Sequence, residues 1–501
     1  MSRMTGGGMR LSELAHALDA QLSGGDTRVG GVAIDSRLVR RGDLFVALPG
    51  ARHDGSAFVP EALARGAAAV CAAAAVAGVP TLIVADPRPA LARIAAEMNG
   101  WPSREMTLVG ITGSLGKTST ALLLEEMLAA AGGPVGVIGS LGIRYGGGNV
   151  ETGMTTPEAP AIHGALRAMR DAGVRTAIME VTTHAILFHR VTGLEYALGI
   201  ITNLVPDEHL ELHPTPEHYV RTKARFLDML LPGAPLVLNA DDVTVRSITR
   251  GLPRPCIGVS FAGSEEAEAR VEEFAMDGSG SRFTLRVARA LPRLDGGEVA
   301  PMALPVRMRL LGPQLAANAA LAAVAALIAG IPADAVAAAL ARSAPMHRRM
   351  EIIHADGPVI LDDTVGNPAS IDAVFATTRA MPHERLHVVY CIRGARGHAI
   401  NQHNALALAA RAAHDDTDLI ITASEDAADE RNRVTDEERD TVLGILRDAD
   451  VPFQFHPALA TAIRQALDAA GERDLVLLLG AQGMDRGAEI ARELLEVEAA
   501  G

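Results

Sequence analysis

The sequence predicts an α/β protein built from three domains, and three observations lead there. Short β-branched and apolar runs alternate with apolar-periodic stretches along most of the chain, the pattern of parallel strands joined by helices. One such unit, Met106 to Thr120, sets a glycine-rich turn between its strand and its helix. At 501 residues the chain exceeds what a single core organises and suggests about three domains. The expected division is an N-terminal α/β domain (1–100), a central domain on a P-loop parallel sheet (101–342) and a C-terminal Rossmann-like α/β domain (343–501).

Composition narrows the function classes. A formal net charge of −14 excludes a general nucleic-acid binder, because phosphate backbones call for clustered Lys and Arg. It leaves room for local basic pockets that take small anions. Hydrophobic residues make up 49% but aromatics only 3%, so Ala, Leu and Val must fill the core. Cys71, Cys256 and Cys391 are scattered and suit neither a disulfide framework nor a zinc site, which points to reduced thiols in the cytoplasm. The first ten residues contain no apolar signal region. Two alanine-rich tracts, Ala62 to Ala85 and Leu315 to Ile331, are too interrupted or too weakly apolar to span a bilayer, so no membrane insertion is expected.

In the N-terminal domain a helix is expected over Leu11 to Leu22. A strand then closes on Asp35-Ser36-Arg37, and another covers Leu44 to Leu48. Polar groups at a strand end are placed to hold a small ligand, or they stabilise their own turn; both readings stand at this point.

The central domain opens with the strand Thr107 to Thr112. Gly113, Ser114 and Gly116 follow, then Lys117, Thr118 and Ser119 at the start of a helix. Glycines let backbone N–H groups approach phosphate oxygens, and a helix N-terminus favours anions. Lys117 would reach the β- and γ-phosphates of ATP, and the Thr118 hydroxyl would ligate Mg²⁺. A turn that merely joins two elements is the bland alternative. Strict Walker spacing wants glycine at Ile111; here Gly110 stands one place earlier, which makes this a variant P-loop.

Further on, Thr155 and Thr156 follow a glycine run, and their hydroxyls could bind a phosphate or a nucleotide-sugar. The strand Ala177 to Met179 delivers Glu180 to its end, with Thr182, Thr183 and His184 beyond. A carboxylate there is either a Mg²⁺ ligand or a solvated strand end. The loop after Asn203 carries Asp207, Glu208, His209, Glu211 and His213, and a helix from Glu217 to Leu231 carries Lys223. Without a His-x-x-x-His helix or partner cysteines, hard ligands beside a nucleotide suit Mg²⁺ better than zinc. Residues 255–310 read as β-rich, and helices return over Gly312 to Ile331 and Ala333 to Arg342. The third domain is expected to contain strands at Arg349 to Ile353, Val359 to Leu361, Leu386 to Cys391, Leu419 to Thr422 and Leu475 to Leu479.

Taken together, these motifs resemble the Mur ligases nearly end to end, most closely those adding the third amino acid to a UDP-N-acetylmuramoyl-dipeptide. The resemblance implies the three-domain Mur ligase architecture and an ATP- and Mg²⁺-dependent amide ligase that proceeds through an acyl phosphate. It implies that Ser36, Thr155, Thr156, Thr182, Thr183 and Arg190 face a UDP-linked substrate. Asn318 and Arg349 would belong to the ATP site, and Asp362 would contact the ribose. Lys117, Glu180, His209 and Lys223 would carry catalysis, with Glu180 and His209 on the metal and Lys223 carbamylated beside it. The partners implied are a UDP-linked acid and an amino acid or other amine; a monomer is expected.

Departures concentrate in the third domain. The Asp-Asn-Pro-Arg signature of diaminopimelate-adding members is replaced by Ala423-Ser424-Glu425-Asp426. The late Gly-Lys-Gly-His-Glu motif has become Gly480-Ala481-Gln482-Gly483-Met484. An acceptor other than diaminopimelate is therefore expected, with Arg393 and Arg396 as candidate carboxylate clamps. A ligase acting on a non-peptidoglycan acid, or a catalytically weak nucleotide-binding scaffold, are the competing readings.

Overall fold

The computed structural model describes residues 8–50, 54–130, 132–205, 212–277, 280–344, 347–395, 397–414 and 416–500. The chain forms two compact units: residues 1–270, 286–303 and 318–339 make the first, and residues 271–285, 304–317 and 340–501 the second.

Within the first unit, a five-stranded sheet runs in the order Gln21–Ser23, Thr81–Ile83, Ala69–Ala72, Asp43–Val46, Gly31–Ala33. Its strands are parallel except the Gln21–Ser23 edge. The helix expected to reach Leu22 stops at Leu18. Asp19 takes a left-handed φ of 53° and donates its backbone N–H to Ala15 and His16, a conformation Asp tolerates well, and the chain turns back as the edge strand. Leu11, Leu14, Leu44, Val46, Leu82, Leu91 and Ile94 bury against one another beneath this sheet. The tract Ala62 to Ala85 divides into a helix end and two strands, and among the described residues no helix is long and apolar enough to cross a membrane.

The first unit's larger sheet centres on Thr107–Thr112. Thr176–Val181 and Leu198–Ile201 flank it in parallel, and the register sets Glu180 beside Ile111 and Val181 beside Thr112. Val135–Gly139 lies beyond on one side, Leu236–Asn239 and Cys256–Ser260 on the other. Gly110 has a packing reason. A Cβ there would come within 2.7 Å of the Phe226 and Tyr196 rings, which pack on the strand at this point. The glycine run ahead of Thr155, to which the sequence assigns no element, joins Gly142–Tyr145 to Gly148–Val150 as an antiparallel hairpin. The helix expected over Glu217 to Leu231 is Pro216–Ala224, followed by a 3₁₀ turn.

The second unit carries a six-stranded sheet in the order Glu351–His354, Val359–Asp363, Leu475–Leu479, Leu386–Cys391, Thr417–Thr422, Gln454–His456. All its pairs are parallel except the first. Alternate residues feed two cores: Leu361, Val388, Tyr390 and Leu477 on one face, Ile360, Val389, Ile420 and Val476 on the other. Burial on both faces explains the uninterrupted apolar runs of these strands.

Candidate active site

The turn after Thr107–Thr112 has the shape expected of a phosphate cradle. Gly113 and Gly116 hold φ of 148° and 83°, and Gly116 caps the helix Lys117–Ala129. A Cβ on Gly113 would stand 2.0 Å from Thr202 Oγ1, and one on Gly116 would stand 2.5 Å from Asn318 Oδ1. Both glycines are therefore required twice, for conformation and for space.

Residues distant in sequence pin the loop. Ser114 donates its N–H to the Asn203 carbonyl at 2.9 Å, and Leu115 donates to Asn203 Oδ1 at 2.8 Å. The Ser114 hydroxyl meets Tyr219 Oη at 2.7 Å and accepts from the Val205 N–H at 2.8 Å. Lys117 Nζ donates to the carbonyls of Gly113 and Ser114, each at 2.7 Å. Lys223, only 3% exposed, donates to the same Gly113 carbonyl at 2.9 Å and to Thr112 Oγ1 at 3.3 Å.

Glu180 is buried and held on both oxygens, not solvated. Its Oε1 accepts from the Ser140 N–H at 2.9 Å, and its Oε2 accepts from Thr118 Oγ1 at 2.9 Å and Ser140 Oγ at 3.3 Å. Thr155 Oγ1 lies 3.0 Å from Ser140 Oγ. One carboxylate and three hydroxyls thus gather at the helix N-terminus, a hard-oxygen set that suits Mg²⁺ completed by waters and phosphate. Among the described residues no three of His, Cys, Asp and Glu converge to hold a metal. His209, expected as a ligand, lies outside the described residues, as does Arg396.

The threonines form a second layer. Thr156 Oγ1 donates to the Glu180 carbonyl at 2.8 Å and accepts from the Thr182 N–H and hydroxyl. Thr183 Oγ1 meets His213 Nε2 at 2.9 Å, and His213 Nδ1 lies 2.8 Å from His218 Nδ1. Arg190 donates from Nε to Glu158 at 2.9 Å and from Nη1 to the Thr156 carbonyl at 3.0 Å. The structure therefore places Thr155, Thr156, Thr182 and Arg190 along one connected network with Glu180, while Thr183 pairs with His213. Ser36 stands elsewhere in the same unit, at the end of the small sheet, and donates to Glu61 at 2.7 Å. Its neighbour Asp35 accepts from the Arg37 side chain and N–H, and the Arg37 side chain chiefly holds the carboxyl below the usual range. This turn does stabilise itself.

In the second unit, Asp362 is fully buried and accepts from Arg348 Nε at 3.2 Å. Arg348 also donates to the carbonyls of Gly480 and Ala481 and pairs with Asp485. Burial pushes the Asp362 and Asp363 carboxyls each up to about 6, with Arg348 opposing the shift at the first and Arg349 at the second. Arg349 donates to the Thr364 carbonyl at 3.1 Å. Sequence reasoning singled out Arg349 and missed Arg348. Ser140, Asn203, Tyr219 and Glu158 were missed as organisers of the network. Ser140 immediately follows the strand Val135–Gly139, a strand-end position that could have marked it. Two replaced third-domain motifs meet here: Ser424 Oγ donates to the Gly483 carbonyl at 2.5 Å.

A glycine cradle at the end of a central parallel strand, with a threonine hydroxyl on a buried carboxylate, defines an enzyme working on the phosphates of a nucleoside triphosphate. Residues 28–99, 111–326 and 348–482 match, in turn, the Mur ligase family catalytic domain, the Mur ligase middle domain and the Mur ligase glutamate ligase domain. A UDP-N-acetylmuramyl-tripeptide synthetase from Roseiflexus sp. (strain RS-1) is 33% identical over 494 residues, covering 94% of each chain. A UDP-N-acetylmuramoyl-L-alanyl-D-glutamate–2,6-diaminopimelate ligase from Streptomyces coelicolor is 33% identical over 393 residues, covering 77% of this chain and 75% of its own. Among solved structures, the MurF ligase from Thermotoga maritima in complex with ADP superposes with a TM-score of 0.61 at 19% identity, covering 93% of this chain and 97% of that one. The chain belongs to the Mur ligase family.

Proposed function

We propose that this enzyme is an ATP-dependent ligase that adds an amino acid or related amine to the carboxylate of a UDP-N-acetylmuramoyl-peptide-like acid. The arrangement of Lys117, Thr118, Glu180 and Lys223 around the Gly113–Gly116 cradle is the observation that carries the reading. Two relatives, each 33% identical, are a tripeptide synthetase and a third-residue ligase by name, which supports the same chemistry.

In this reaction the acid's carboxylate oxygen attacks the γ-phosphorus of ATP, releasing ADP and leaving an acyl phosphate. The amine nitrogen then attacks the acyl carbon, inorganic phosphate leaves, and one proton is lost from nitrogen as the amide forms. The first step brings a negative nucleophile to a polyanion, so the site must supply positive charge and aligned donors. The loop amides of residues 113–118 surround the phosphates, and Lys117 exchanges its carbonyl partners for phosphate oxygens, an acceptor that binds an ammonium more strongly. Thr118, Glu180 and Ser140 would hold Mg²⁺, which neutralises charge on the phosphates when bound. Lys223 as a carbamate would add a further anionic ligand. Thr156, Thr182 and Thr183 are proposed to line the substrate side, and Ser36 is proposed to face the uridine end. Asn318, Arg349 and Asp362 are proposed as nucleotide contacts, with Arg348 orienting Asp362.

The test is phosphate release from ATP and Mg²⁺ with a panel of UDP-muramyl peptides and of acids lacking UDP, each paired with diaminopimelate, lysine and smaller amines, with Lys117→Ala as the inactive control. Release dependent on both a UDP-muramyl peptide and an amine supports the proposal. Release only with an acid lacking UDP would transfer the enzyme to a non-peptidoglycan substrate, and no release with any pair would leave a scaffold. Because Ala423–Asp426 and Gly480–Met484 replace the usual third-domain motifs, the best acceptor is expected not to be diaminopimelate.

A further inference from the structure

The network around Arg190 does not stop at the residues singled out from the sequence. Glu158 accepts from Arg190 Nε on one oxygen, and on the other it pairs with Arg88 Nη1 at 3.5 Å. Arg88 comes from the first turn of the helix Pro87–Asn99, 70 residues earlier in the chain. Both guanidiniums lie against one ring: Arg88 Cζ is 5.4 Å and Arg190 Cζ 5.8 Å from the centre of Phe188. One carboxylate therefore carries two guanidiniums, and a shared aromatic face fixes both.

The corner is richer in cations still. His189, next to Phe188, has its basicity lowered chiefly by burial and then by the positive charges of Arg225 and Arg88, against which Asp86 is the opposing anion. Arg88 and Arg190 thus share one carboxylate, and the nearby Asp86 is already engaged as the cap of the Pro87–Asn99 helix, accepting from the Arg88 N–H at 2.9 Å. Such an excess of forked donors, half-sheltered from water, suits a ligand with two adjacent anionic groups. It lies one hydrogen bond from the threonine network, because Arg190 also holds the Thr156 carbonyl.

We infer that Arg88 acts with Arg190 as a clamp for the diphosphate of the UDP-linked acid, Glu158 being the internal anion that the diphosphate displaces. The inference rests on the proposed UDP-linked substrate and extends it to a residue that no sequence motif marked. A diphosphate offers acceptor oxygens on two phosphorus atoms, so each guanidinium takes its own phosphate while Phe188 holds them apart. Glu158 matches their charge in the unliganded protein, which spares the chain an uncompensated cationic pocket.

Calorimetric titrations of the full chain with UDP, uridine and ADP separate the possibilities, using wild type, Arg88→Gln, Arg88→Lys and Glu158→Gln. Arg88→Gln should weaken UDP by about tenfold or more, the loss of one charged hydrogen-bonding group. Uridine, which has no diphosphate, and ADP, bound at the glycine cradle, should stay within about twofold. Arg88→Lys should fall between, keeping the charge but losing the fork. Glu158→Gln should bind UDP as tightly as wild type or more so. An Arg88 that only fastened its helix to Glu158 would give the opposite, with Glu158→Gln weakening UDP as much as Arg88→Gln. If Arg88→Gln fails to fold, the Arg88→Lys and Glu158→Gln pair decides on the same criteria. Wild type blind to UDP would sink the substrate reading and the clamp with it. Wild type that binds UDP, with Arg88 variants unchanged or weakened equally toward uridine, would sink the clamp alone.

Discussion

Gly139→Ala is the most discriminating perturbation of the phosphate site, because it moves Glu180 without touching its charge. Gly139 ends the strand Val135–Gly139, and its φ is not among the left-handed ones, so alanine adds no backbone strain. The added Cβ would stand 2.2 Å from Glu180 Oε1 and 3.0 Å from its Cδ, so the carboxylate must swing away. It would then lose the Ser140 N–H at 2.9 Å and the Thr118 hydroxyl at 2.9 Å. Hydrogen bonds to a charged group contribute about 1.5–3 kcal/mol each, so losing the aligned position costs roughly 3 kcal/mol and ~100-fold in kcat/KM. The assay is phosphate release at saturating amine with Mg²⁺ titrated. The expected signature is a raised Mg²⁺ requirement together with a lowered thermal stability, since the same hydrogen bonds hold the buried carboxylate in the folded chain. Activity within about threefold of wild type at ordinary Mg²⁺ would mean that Glu180 need not sit where it does, and the metal role proposed for it would fall.

Two further outcomes are expected. Lys223→Ala should be nearly inactive and partly restored by acetate or a similar short carboxylate, an anion standing in for the carbamate; failure of every small carboxylate to restore turnover would count against carbamylation. His163 is fully buried in the helix Ala159–Asp171, both ring nitrogens lack a hydrogen-bond partner among the described residues, and burial lowers its pKa to about 4. The unfolded chain protonates this group near 6.5 while the folded chain does not, so its contribution is full above that pH and is lost as pH falls toward 4. Relative to His163→Met, wild-type stability should drop by about 3 kcal/mol between pH 7 and pH 4 in denaturant titrations. The raised Asp362 and Asp363 act with the opposite sign over much the same window but cancel in this comparison. A wild-type-minus-variant difference that stays flat with pH would refute the assignment.

What was legible in the sequence was what local pattern encodes. Thr107–Thr112, Gly113, Gly116 and Lys117 follow one another directly, and a strand, a turn with left-handed glycines and a helix start each leave a mark within a few residues. Glu180 could be placed at a strand end for the same reason. The hairpin Gly142–Tyr145 with Gly148–Val150 leaves no strand signal in the sequence, because glycines dominate a segment too short to show alternation. Arg348 and Arg349 are neighbours with like side chains; the left-handed φ of 54° at Arg348 and 47° at Met350 fixes their directions, and no pattern of side-chain types reveals such a backbone twist. Long-range partners were hidden altogether. Tyr219 reaches Ser114 across 105 residues and Arg88 reaches Glu158 across 70, contacts that exist only once strands are ordered in a sheet.

The two lysines at the loop tie these proposals together through charge. Lys117 and Lys223 both donate to the Gly113 carbonyl, so a single backbone oxygen carries two ammonium groups. Phosphate entry gives Lys117 a stronger acceptor and removes one of them. Carbamylation would remove the other, converting the Lys223 ammonium and carbon dioxide into an anionic carbamate with release of two protons. That change would take the charge on Lys223 from positive to negative, and a buried anion is unfavourable unless a cation neutralises it. Mg²⁺ affinity and carbamylation would therefore be linked, and linkage is reciprocal: a metal favoured by the carbamate favours the carbamate by the same factor. A requirement for bicarbonate and a requirement for Mg²⁺ would then be one coupling seen from two sides.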